Sequence, residues 1–163
     1  MIQAIDHWFG RKVFQPIAIK LCHWLKVDQY QLHDYVTMVG WWALFSAVMT
    51  SGSLIGKVLI GLFTILTTAK VAVQSYSTAD DAKTNVSFNT FFRRMFLLFE
   101  AFHWIMHISY GTGFTEYKGD GPLWDVSCIT VFLWLIGDYA MTIDDLPPAA
   151  SKEPKGKLAR QKL

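Results

Sequence analysis

From Tyr35 to Gly56 the chain runs 22 residues without a charged side chain. A helix of about 18 apolar residues already crosses the hydrocarbon layer of a bilayer. An uncharged run this long exceeds that length and points to a membrane span. Composition pulls towards lipid. Of 163 residues, 52% are hydrophobic, 15% aromatic and only 17% charged, against roughly 25% charged in ordinary soluble proteins. The length suits one domain.

The remaining charges fall between apolar blocks. Read this way, the chain is expected to be all-α and integral to the membrane, with four transmembrane helices arranged as two hairpins over residues 28–143. The spans cover about 33–51, 54–73, 91–110 and 123–142. Asp28 with Gln31 three residues on resembles a capping box that opens the first helix. Ser51-Gly52-Ser53 breaks it, and Pro122 suits the first turn of the last. Lys57 and Lys70 sit near the ends of the second span, where long stems reach the interface. Residues 74–90 read as a connecting loop, and the asparagine motif at Asn85 is too common by chance to carry weight.

Ahead of the spans, residues 1–27 read as an amphipathic interfacial helix broken at Pro16. Ile2, Ile5, Trp8, Phe9 and Val13 share one arc, opposite Gln3, Asp6, His7 and Arg11. Such a helix suits the headgroup plane or a protein surface. The N-terminus lacks the layout of a cleavable signal, so the mature chain is expected to begin near Met1. Residues 144–163, rich in Pro and Lys, read as a basic flexible tail.

Charge placement gives an orientation. Thirteen of the fifteen Lys and Arg fall in the N-terminal region, the middle loop with its flanks, and the tail; only Lys57 and Lys118 fall on the other side. By the positive-inside rule, this expects a multi-pass protein of the inner (cytoplasmic) membrane with both termini cytoplasmic. The formal net charge of +2 and the lack of a basic face bearing stacking aromatics exclude a nucleic-acid partner. Cys22 and Cys128 make neither a metal spacing nor a disulfide framework.

One block carries ionisable groups where a spanning helix carries Leu. In FFRRMFLLFEAFHWIMHISY, Glu100, His103 and His107 lie within about 60° of one another on a helix, and Arg93 extends the stripe. Such groups face a partner or a cavity and are site candidates. Two imidazoles and a carboxylate are candidate ligands for zinc or iron, and Glu-x-x-His is half of a di-metal motif. The other spans supply almost no matching carboxylate or His, which argues against a complete di-metal or haem site in one chain. No cofactor is therefore expected, with metal or haem as the minority reading. Charge pairing is the plainer use: Asp138 is expected to neutralise Arg93, Arg94 or Lys70, and Asp125 to meet a helix dipole or His107.

The functional expectation is a non-enzymatic accessory or interaction subunit of a larger membrane assembly, whose partners are the bilayer and other membrane subunits or further copies of itself. The alternative is a redox or proton-handling subunit acting through Glu100, His103 and His107. A holin-like pore former is third, resting on small size, several spans and a basic tail.

Overall fold

The computed structural model describes residues 2–51, 53–110 and 121–143, with the side chains at 51, 106–110 and 121–124 outside the description. The expected tail, 144–163, and the third-to-fourth-span loop, 111–120, lie outside the described residues.

The N-terminal segment is one helical rod. Helix α1 (Ile2–Phe9) passes through a π-helical stretch at Gly10–Phe14 into α2 (Gln15–Leu25). Pro16 does not break it, which corrects the sequence expectation. The amide of Gln15 bonds back to Gly10 O, five residues away. This widened turn makes room just where the proline ring would crowd the preceding turn and where its missing N–H would interrupt the ladder. The rod stops at Lys26, which adopts a left-handed conformation (φ 57°).

Helix α3 (Gln29–Ser51) then starts on the expected capping box. Asp28 Oδ1 accepts from the amides of Tyr30 (2.9 Å) and Gln31 (2.8 Å), and Gln31 Oε1 accepts from the Asp28 amide. Helix α4 (Leu54–Ala72) begins on Ser53, whose Oγ accepts from Gly56 N–H. It folds back antiparallel on α3: Trp41 stacks on Phe63 at 4.9 Å, and Trp42 Nε1 donates to Thr68 Oγ1. The stretch read as a loop contains α5 (Ala79–Thr84), nucleated by a reciprocal Thr78–Asp81 capping box. Helix α6 (Val86–Tyr110) follows, then α7 (Gly121–Ala140).

The core is built around α7. Val131, Leu135, Ile136, Tyr139 and Ala140 of α7 meet Leu32 and Val36 of α3, Leu97 of α6, and Phe14, Ala18 and Cys22 of the rod. At Gly137 an added Cβ would lie 2.7 Å from Val36 Cγ2 and 3.3 Å from the His33 Cα, so α3 and α7 touch here at backbone distance.

The four-span expectation is overturned. Among the described residues one helix, α4, is long and apolar enough to cross a membrane, with a mean hydropathy of 1.7. The other apolar blocks have different explanations. Freedom from charge is not hydropathy: the run inside α3 is diluted by Tyr35, Trp41, Trp42, Ser46 and Thr50, and the helix opens on Gln31, His33 and Asp34. Helix α6 carries Arg93, Arg94, Glu100 and His103 along its length. Helix α7 puts most of its described apolar side chains into the core and leaves Ile129 and Phe132 exposed. The multi-pass placement with both termini on one side rested on four spans, and one candidate span does not show it.

Candidate functional site

Two ion clusters gather at one end of the bundle, where α3 and α6 begin and α4 and α7 finish. The first is centred on Asp6, which is 5% exposed. The rod meets the body along a line of buried residues four apart, Asp6, Gly10, Phe14, Ala18 and Cys22, which apart from Phe14 are small or polar. Gly10 has no Cβ, and one placed there would sit 2.8 Å from the Tyr139 ring. That close approach puts the Tyr139 hydroxyl 2.7 Å from Asp6 Oδ1, to which it donates.

Arg93 grips the same carboxylate with two N–H groups, Nε at 2.9 Å and Nη2 at 3.2 Å. Arg94 adds Nε at 3.2 Å. The Arg93 guanidinium also lies 4.9 Å from the centre of the Tyr139 ring, which stacks on Phe14 at 4.8 Å. Burial by itself would raise the Asp6 carboxyl, but the hydrogen bonds from Arg93, Tyr139 and Arg94 outweigh it and hold the group below its usual value. The Tyr139 phenol is pushed up, by burial first and then by Asp6.

The second cluster is centred on Asp34, 4% exposed. It accepts from Lys70 Nζ (2.7 Å), from the Ser77 amide (2.6 Å) and hydroxyl (2.9 Å), and meets His33 Nδ1 at 3.2 Å. The other nitrogen of His33 lies 3.5 Å from Asp138 Oδ1. Burial opposes charge on both partners, yet Asp34 is lowered to about 2 by His33, Lys70 and Ser77, and His33 is raised to about 9 by Asp138 and Asp34. Adjacent residues of α7, Asp138 and Tyr139, thus link the two clusters.

The sequence-derived stripe does not act as a unit. Arg93 belongs to the Asp6 cluster. Glu100 sits further along α6 with Oε1 fully buried and no hydrogen-bond partner among the described residues. Burial pushes its carboxyl up to about 7. His103 is half-buried and meets the Trp104 ring edge-on at 6.1 Å. The His107 side chain, and with it the expected contact to Asp125, lies outside the described residues. Asp125 itself is exposed. Among the described residues no group of three or more His, Cys, Asp or Glu is placed to hold a metal ion.

The expected charge partners share one level but pair differently. Lys70, Arg93, Arg94 and Asp138 do lie at the same end, yet Lys70 takes Asp34, the two arginines take Asp6, and Asp138 takes His33. Sequence reasoning missed Asp6, Asp34, Ser77 and Tyr139. The four-residue repeat of Asp6 with Gly10 and Ala18 was the available signal for the first.

Between the rod, α6 and the end of α7 lies an open cleft of about 850 Å³, lined among others by Asp6, Arg11, Arg93, Arg94 and Tyr139. No protein-family model, curated protein or solved structure matches this chain.

Proposed function

We propose that the protein is a membrane-attached, non-enzymatic interaction subunit, held in lipid by α4 and presenting its charged end to partner chains. The observation that carries this reading is α4 itself. Only 6% of its apolar window is buried by the rest of the chain. Leu54, Ile55, Val58, Leu59, Leu62, Phe63, Ile65 and Leu66 are all exposed. Each such side chain left in water forgoes about 2 kcal/mol of burial, so the face of the helix turned away from α3 calls for a non-aqueous cover. At 19 residues it is about 28 Å long, close to the thickness of a hydrocarbon layer. Lys70, in its last turn, is held by Asp34 and Ser77, so its ammonium is paired at the end of the span. Exposed Phe91, Met95, Leu98, Phe102 and Ile105 on α6 add apolar surface suited to lipid or to another subunit.

Membrane fractionation tests the reading. The full chain is expected to stay in the pellet through an alkaline carbonate wash and to dissolve in mild detergent together with a larger assembly. Leu62→Lys with Ile65→Lys is expected to shift it to the wash, because a lysine at the centre of a span costs about 3 kcal/mol. Release of the unaltered chain by carbonate would sink membrane attachment; a monomer in mild detergent would sink the subunit role.

A second reading, proton or redox handling by Glu100, His103 and His107, is favoured by one observation: the buried, unpartnered Glu100 oxygen with its raised carboxyl. An absorption spectrum and metal analysis of the detergent-purified chain separate the two. Bound metal or haem lost on His103→Ala favours redox work.

A further inference from the structure

We infer that the cleft between the rod and α6 binds an anionic phospholipid, its phosphate on Arg94 and Arg11 and an acyl chain laid along α6. The inference rests on the membrane reading above and adds a ligand site to it.

Charge comes first. Among the described residues, three guanidinium groups (Arg11, Arg93 and Arg94) line the cleft against one carboxylate, Asp6. Arg93 is committed, because two of its N–H groups are on Asp6 and its plane is against Tyr139. Arg94 gives Asp6 a single Nε–H and remains 33% exposed. Arg11 is exposed on the rod. The cleft therefore holds surplus positive charge on flexible forks suited to phosphate oxygens.

The apolar half adjoins it. A groove of about 570 Å³ is lined by Ile2, Phe91, Met95 and Leu98, and Thr90 and Arg94 line both spaces. Phe91, Met95 and Leu98 follow one face of α6 over about 10 Å and are exposed. A basic cleft opening at a shared arginine into an apolar groove matches an amphiphile with a phosphate head. Among the described residues, Ser87 and Thr90 provide the only side-chain polar atoms in the groove besides Arg94, which suits an acyl chain better than a sugar or base.

The test uses the full chain in a zwitterionic detergent, with bound lipid read by native mass spectrometry. Phosphatidylglycerol is expected to be retained at about tenfold lower concentration than phosphatidylcholine, because both headgroups carry the phosphate and choline alone adds a cation that the arginines repel. Arg11→Gln with Arg94→Gln is expected to abolish that preference, while Arg11→Lys with Arg94→Lys keeps most of it. Arg93 holds Asp6 in both variants, so the fold has its anchor. Leu98→Gln is expected to weaken retention of both lipids. Equal retention of the two lipids by the unaltered chain, undiminished preference in the double Gln variant, or displacement of phosphatidylglycerol by inorganic phosphate as readily as by the lipid would overturn the site. The measurement is made in micelles, so a failure of α4 to hold the chain in membranes is read separately.

Discussion

At the scale of single residues, Asp6 ties the rod to both α6 and α7. Three N–H groups and one hydroxyl converge on a carboxylate that water barely reaches. Removing it strands the Arg93 guanidinium, only 12% exposed, without its counter-ion. Breaking a buried pair from one side costs about 3 kcal/mol or more. Asp6→Ala is therefore expected to lower the thermal midpoint in detergent by about 6–12 °C, at roughly 2–4 °C per kcal/mol for a chain this long. Arg11→Ala, on an exposed side chain, is expected to move it by less than about 2 °C. A circular-dichroism melt of the two variants decides the matter, and equal midpoints would remove Asp6 from this role. The sequence showed that Arg93 and Arg94 needed a neutralising partner and put Asp138 at their level. It could not choose between Asp138 and Asp6, because the Asp6 pair closes a separation of 87 residues that only the rod's packing on α6 and α7 brings together.

Helix starts were the most readable part of the chain, because a cap is local chemistry. Asp28 with Gln31 opens α3 as expected, and the Thr78–Asp81 box inside the supposed loop was legible by the same rule. Helix relations were less so. The apolar arc of the rod was expected to lie in the headgroup plane or on a protein surface; Ile2, Ile5 and Trp8 are exposed, and the line that meets the rest of the chain is Asp6, Gly10, Phe14, Ala18 and Cys22. Close approach explains why: glycine, alanine and cysteine let the rod sit nearer to α7 than bulky side chains would. The α3–α7 contact uses the same device at Gly137. Gly137→Leu would drive a side chain into Val36 and the His33 backbone, and backbone cannot turn aside. Such overpacking costs about 1–3 kcal/mol. Beyond a midpoint lower by about 2–12 °C, the variant is expected to lose the His33–Asp138 contact, since both residues flank the point of impact. A histidine titration by NMR reads this directly, with the His33 pKa falling from about 9 towards its ordinary 6.5. An unchanged His33 titration would show that the two helices had not been pried apart.

For the molecule as a whole, the run from Tyr35 to Gly56 correctly marked a long, mostly uncharged helix, but apolar sequence alone does not tell whether lipid or protein surrounds it. Helices α4 and α7 are both apolar; one leaves an apolar face exposed and the other is the centre of the core. What burial leaves inside is a set of groups whose titration shapes the stability of the entire bundle. Glu100, raised from 4.5 to about 7 by burial, favours the folded state most below pH 4.5 and loses that contribution as pH rises through 7. His33, raised from 6.5 to about 9, contributes fully below 6.5 and loses it as pH rises through 9. Asp34, lowered from 3.8 to about 2, acts in the opposite sense, contributing above 3.8 and losing it as pH falls through 2. Stability is therefore expected to peak at about pH 4–5 and to decline in two steps towards pH 9, each on the order of 2 kcal/mol. Glu100→Gln removes the first step and leaves the second; His33→Gln removes the second and leaves the first. Thermal midpoints measured at half-unit intervals from pH 3 to pH 9 would resolve the steps. A Glu100→Gln curve parallel to that of the unaltered chain between pH 4.5 and 7 would mean that the carboxyl has found a partner and ionises normally, the outcome expected if a second subunit reaches Glu100 in the assembled state.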